Sequence, residues 1–261
     1  MNRLTRVLAT LSLAVVAATG AACASTGGQA SPEGKLVLVA GATGGTGQEA
    51  VKQALAQGYA VRVLVRNAEA ARPLLGDKVQ YAVGNVRDTA AVAKAFKGVT
   101  YVISALGSNS QRDPENKPEF IDYGGTRNLA EAAKAAGVKQ FVLVSSIGVT
   151  HADHPLNKMF DNIMTWKLKG EDVLRASGVP YTVVRPGGLR NAPGGQNALV
   201  TTQGDPAGAN GSIARADVAT VCIAALGNKA ALGKTFEVAG AEGKPPADWN
   251  AFFAGLKSDG R

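Results

Sequence analysis

Hydrophobic and polar positions follow two rhythms along this chain. Short apolar runs of strand length lie at 35–40, 60–66, 78–83, 100–104, 139–145, 180–184 and 234–239. Between them, near 46–57, 68–75, 88–96, 118–137, 157–177 and 215–227, apolar positions recur at helical spacing. Apolar runs of that length read as strands covered on both faces. Their alternation with helices predicts an α/β fold, a doubly wound parallel sheet in a single domain over residues 35–261. Ligands of such sheets bind beyond the carboxyl ends of the strands, where strand order reverses. Chemistry is therefore expected just after each strand.

The first run leads into Gly41-Ala-Thr-Gly-Gly-Thr-Gly47, and a helical pattern follows. Strand, glycine turn and helix in that order suit a dinucleotide pyrophosphate, as in Rossmann folds. The turn is tight, the backbone approaches the phosphates, and free N–H groups at the helix start point at the anion. The expected cofactor ligands here are Gly41, Thr43, Gly44, Gly45, Thr46 and Gly47. The second run ends at Arg66, where an acidic residue would bond the ribose hydroxyls of NAD. A guanidinium there can grip a 2′-phosphate, which favours NADP(H). After the third run, Asn85 and Val86 lie where a loop would pass the adenine.

Residues 1–24 have the parts of an export signal: Arg3 and Arg6, an apolar stretch from Val7 to Ala18, then small residues up to Ala24. The stretch is shorter than the roughly 20 residues of a membrane span. Two outcomes stand for it. Cleavage after Ala24 would release the chain, whereas lipidation of Cys23 would attach it to a membrane. Residues 25–34 then read as a flexible tether. Export, with or without the anchor, conflicts with an intracellular nicotinamide cofactor, so a cytoplasmic or organellar destination is the alternative. The only other cysteine, Cys222, lies in an apolar helical stretch and reads as packing. The net charge is +8, to which the leader arginines contribute two, and its excess is scattered. That pattern does not form a nucleic-acid face. His151 and His154 flank Asp153, but no third strong ligand is evident, so they read as loop structure and no metal is expected.

Several further segments carry a family resemblance. Gly41-Ala-Thr-Gly-Gly-Thr-Gly47, Ile103-Ser-Ala-Leu-Gly107, Leu143-Val-Ser-Ser-Ile-Gly148, Trp166-Lys-Leu-Lys-Gly-Glu171, Tyr181-Thr-Val-Val-Arg-Pro-Gly-Gly188 and Arg215-Ala-Asp-Val-Ala219 resemble the atypical short-chain dehydrogenase/reductases. The branch is that of NmrA-like regulators and biliverdin reductase B, and the resemblance spans about residues 35–256. It implies that Ala105, Leu106, Pro186 and Gly187 line the cofactor. It also implies that Lys167 holds the nicotinamide ribose, in the place of the lysine of a Tyr-x-x-x-Lys motif. The tyrosine position is Ile163, which cannot move a proton. Ser145 and Ser146 remain as polar groups able to orient a substrate or the nicotinamide amide.

The expected function is an NADPH-dependent reductase of a small-molecule acceptor of quinone or flavin type, which needs no enzyme acid. A non-catalytic NADP(H)-binding redox sensor or assembly factor is the alternative. An isomerase or epimerase is a third reading and would normally use the missing tyrosine.

Overall fold

The computed structural model describes residues 34–260; the leader, Cys23 and nearly all of the tether lie outside them. Strands β1 (Leu36–Ala40), β2 (Ala60–Val65), β3 (Gln80–Val83), β4 (Tyr101–Ser104), β5 (Gln140–Val144) and β6 (Tyr181–Pro186) come first in the chain. β7 (Gly188–Arg190), β8 (Ala198–Thr202), β9 (Ser212–Ala214) and β10 (Lys234–Ala241) follow. The helices are α1 (Gly45–Ala56), α2 (Ala68–Leu75), α3 (Thr89–Ala95), α4 (Thr126–Ala135), α5 (Pro155–Met159), α6 (Ile163–Ala176), α7 (Arg215–Ala225) and α8 (Trp249–Ala254).

The main sheet runs β3-β2-β1-β4-β5-β6-β10-β8, parallel throughout except where β8 pairs antiparallel with β10. Strand order reverses between β1 and β4, which pair in parallel with Val39 opposite Ile103. The apolar strands serve both faces. Val37, Val39, Val61 and Val63 point into one core, Leu36, Leu38, Leu64 and Val102 into the other. Among the buried residues of the first core are Val218, Cys222 and Phe253 from α7 and α8; the second holds Val92, Leu129 and Leu174 from α3, α4 and α6. Cys222 is fully buried, and burial pushes its thiol up to about 12.

Two expected helices have a different form. The segment expected as one helix over 118–137 opens as a π-helical turn, Glu119–Gly125, before α4. The segment expected over 157–177 is broken between α5 and α6 by Asp161 and Asn162, at φ of 48° and 59°. Asn157 causes the break: its buried side chain accepts from Met164 N at 2.9 Å and gives α6 a new start. β7, β8, β9 and α8 were not expected. β7 and β9 are three residues each, and β8 is a partly exposed edge strand, so their apolar patterns are weak.

Candidate cofactor and acceptor site

Steric constraints at the turn after β1 explain its glycines. Gly41 adopts φ 77°, and a Cβ there would lie 2.3 Å from the carbonyl oxygen of Ala105, at the end of β4. A Cβ on Gly47 would lie 2.1 Å from the oxygen of Gly41. The turn closes through Gly44 N donating to Gly41 O at 3.0 Å. α1 has no side-chain cap and no acidic residue in its first turn, so its N-terminal N–H groups suit an anion. Arg215, at the start of α7, lies over Gly45: a Cβ there would meet its Cδ at 2.6 Å. Its Nη1 donates to Asn191 Oδ1 at 2.9 Å. This cradle of bare backbone beside a helix N-terminus fits a pyrophosphate.

A cavity of about 350 Å³ opens from the turn across the switch point. It brings together Gly41, Thr43, Gly44, Arg66, Asn85, Val86, Ala105 and Leu106, all expected from the sequence. Buried Asn128 fixes the loop after β3 by donating to Val86 O at 2.8 Å. Asn85 accepts from Arg87 N at 3.0 Å. Arg66 is exposed, and its Nη1 meets Asp113 Oδ2 at 3.0 Å. Arg87 pairs with Glu115 at 2.8 Å and lies over the Phe120 ring. Asp113 and Glu115 come from the segment between β4 and the π-helical turn, and both line this cavity.

A second cavity of about 310 Å³ takes in Ser146 and Lys167 of the expected residues. Ser146, Ile163 and Lys167 line it, with Leu156, Phe160, Met164 and the polar run Ser108–Gln111. Lys167 Nζ meets Asp122 Oδ1 at 2.6 Å, and that carboxylate is almost wholly buried. Its other oxygen accepts from Ser108 N at 3.2 Å. Close helix packing makes the pair possible. Gly170 has no side chain where one would lie 2.5 Å from Asp122 O. Ser145 directly follows β5, outside both linings, and its buried hydroxyl has no protein partner; the same holds for the hydroxyl of Ser104 at the end of β4.

Gly45, Thr46 and Gly47 belong to α1 and do not line either of these cavities. Pro186 ends β6, and Gly187 packs against Gly211, where a Cβ would lie 2.5 Å from its oxygen. These two also lie outside both linings. The histidines have structural contacts: His154 caps α5 by accepting from Leu156 N, and His151 Nε2 bonds Asp205 O at 2.9 Å.

Outside the linings of both cavities, Arg185 forks onto Glu171 at 3.0 and 2.7 Å and reaches Glu237 at 3.1 Å, all three buried. Burial would lower the Arg185 guanidinium, but Glu171 and Glu237 outweigh it and hold it charged. Glu237 accepts from Asp205 N. The Asp205 carboxylate in turn accepts from Gly148 N, Thr150 N and the Thr150 hydroxyl at 2.7–2.9 Å. Burial would raise Asp205; these bonds, with the charge of Arg185, hold it below its usual value. The network thus joins α6, which carries Lys167, to the loop that carries Ser146.

Reading the sequence alone missed Asp113, Asp122 and Asp205. Their partners are distant in the chain, so local pattern gave no sign of them. For Asp122 the usable signal was Gly170, a helical glycine marking a close helix crossing.

The family described as NAD(P)H-binding matches residues 41–229. An uncharacterised chloroplastic protein of Arabidopsis thaliana is 37% identical over 248 residues, covering 86% of this chain and 76% of its own. Sanguinarine reductase of Eschscholzia californica is 33% identical over 260 residues, covering 84% and 94%. Among solved structures, a putative NAD-dependent epimerase/dehydratase from Bacillus halodurans superposes with a TM-score of 0.73 at 29% identity, over 85% of this chain and all of that one. Taken with the glycine cradle and the strand order, these matches make the chain a member of the NAD(P)H-binding family of atypical short-chain dehydrogenase/reductases.

Proposed function

We propose that the protein is an NADPH-dependent reductase of a quinone- or flavin-type acceptor and supplies no side-chain acid. The observation that carries this is the acceptor cavity. Ile163 forms its wall at the tyrosine position, and Lys167 is the one ionisable side chain among the described residues lining it. A bound nicotinamide would supply the hydride. An acceptor ring that gains a hydride is left as a delocalised anion, which water can protonate, so no tyrosine is required. Leu156, Phe160, Ile163 and Met164 offer the ring an apolar slot. Lys167, held by Asp122, sets a positive charge beside the developing anion. A relative named as a reductase supports this reading, and Arg66 supports NADP(H) over NAD(H).

The leader is a separate proposal. We read residues 1–24 as an address segment and residues 25–34 as a tether ahead of the domain at 35–261. The chloroplastic relative supports the organellar alternative over export with a lipid on Cys23. No helix among the described residues is long and apolar enough to cross a membrane.

Steady-state NADPH oxidation with a quinone and a flavin tests the activity. Lys167→Ala is expected to lower kcat/KM about tenfold or more, the loss of one charged contact to the anion. Ile163→Tyr is expected to leave quinone turnover little changed. If NADP⁺ binds but neither acceptor supports oxidation, the non-catalytic sensor or assembly-factor reading, which Ile163 also suits, replaces this one.

A further inference from the structure

We infer that Asp113 is a specificity-determining residue of the cofactor site, set against Arg66; this rests on the reading that Arg66 faces the cofactor's 2′-phosphate. NAD-binding folds place an acid at the end of the second strand, where its carboxylate accepts from the ribose hydroxyls. Here that position is Arg66. The structure nevertheless brings an acid to the same end of the cavity from elsewhere in the chain. Asp113 is 47 residues downstream, and its Oδ2 lies 3.0 Å from Arg66 Nη1.

Asp113 is held in place by its own loop. Its N–H donates to Asn109 O at 3.1 Å, Asn116 N donates to its carbonyl at 2.8 Å, and its Oδ1 accepts from Glu115 N at 3.1 Å. One carboxylate oxygen is therefore committed to the loop and the other to Arg66. Both side chains are well exposed, 65% for Arg66 and 39% for Asp113, so the pair is weak and its partners can be exchanged.

The two residues act in opposite directions on the two cofactors. A phosphate dianion gains from Arg66 but meets the like charge of Asp113. A ribose 2′-hydroxyl gains less from Arg66 than a phosphate does and can donate to Asp113. The preference for NADP(H) that Arg66 alone would produce is therefore held down by Asp113, and the chain binds both cofactors with a moderated ratio. Arg87, on the same cavity, is paired with Glu115 and leaves Asp113 as the carboxylate on Arg66.

Titration calorimetry with NADP⁺ and NAD⁺ on the full chain tests this without any acceptor. Asp113→Asn, an exposed and nearly isosteric change, is expected to tighten NADP⁺ about two- to fivefold and to weaken or spare NAD⁺, so the ratio rises. Arg66→Gln is expected to lower the ratio, and Glu115→Gln to leave it within about twofold. An unchanged ratio in Asp113→Asn, while Arg66→Gln still lowers it, overturns the inference and leaves the NADP reading standing. A ratio unmoved by Arg66→Gln removes both. Equal rises in Asp113→Asn and Glu115→Gln would assign the effect to the loop's general charge and also overturn the role of Asp113. Circular dichroism of each variant confirms that the fold is retained.

Discussion

Two groups of charges are built from the same kinds of side chain, arginine against Asp and Glu. Between α6 and the loop after β5, Arg185 is locked between Glu171 and Glu237, with Asp205 beyond, and all of them are buried. Over the cavity beside the glycine turn, Arg66–Asp113 and Arg87–Glu115 hold a loop to the strand ends with their side chains largely in solvent. In water such pairs contribute little and can trade partners. In the interior, separating a pair leaves a charge that nothing solvates. The buried group therefore works as a frame that fixes α6 relative to the β5 loop. The exposed group works as an adjustable edge, where an incoming anion can compete.

The largest expected effect tests the frame. Arg185→Met leaves Glu171 and Glu237 buried without their shared cation, which should cost about 3–5 kcal/mol in urea unfolding. Arg175 still reaches Glu171 at 2.6 Å and so limits the loss on that side. Replacing Arg185, Glu171 and Glu237 together by Met and Leu should recover part of the stability: the three central charges go together, Arg175 keeps Asp172 and Asp259, and Asp205 N loses its acceptor on Glu237. If the triple variant is as unstable as the single one, the cost comes from packing and not from charge.

The sequence carried some of these features and not others, for physical reasons. Gly41 and Gly47 were legible because sterics demand glycine within a few residues of each other. The position of Arg66 beside the cavity was legible because the end of a strand is a fixed place in this fold. The apolar strands declared a sheet covered on both faces. Asp113 and Asp122 were not legible: each meets its partner 47 and 45 residues away, in loops and turns without periodicity. The break at Asp161–Asn162 escaped for a similar reason. It depends on one amide, Asn157, capping a helix seven residues on, while the apolar pattern continues through it.

A smaller effect concerns pH. Asp205 has a folded-state value below its unfolded value of about 3.8. Its contribution is therefore fully present above that value and is lost as pH falls through the depressed folded value. Stability should decline below about pH 4, with Asp205 one contributor. Asp205→Asn tolerates the backbone φ of 52° but loses the charged acceptor for Gly148 and Thr150. It should cost about 1–2 kcal/mol at pH 7 and make the acid limb shallower. An unchanged acid limb in urea titrations at stepped pH would remove Asp205 from the frame.

The smallest effect should come from Arg87, and it completes the contrast with Arg185. Both are arginines with carboxylate partners at hydrogen-bond distance. Arg87 keeps 38% of its side chain exposed and adds only a stacking contact 4.8 Å from the Phe120 ring. Arg87→Gln should therefore cost no more than about 1 kcal/mol, a shift of about 2–4 °C in Tm. The loss should shrink further in high salt, since the pair is screened. Arg87→Lys separates the two parts: it keeps the charge for Glu115 but gives up the planar stack. If Lys restores the wild-type Tm, the ion pair carries the effect. If it behaves like Gln, the stack on Phe120 does. A loss approaching that of Arg185→Met would mean that burial does not separate the two groups, and the distinction between frame and edge would fall.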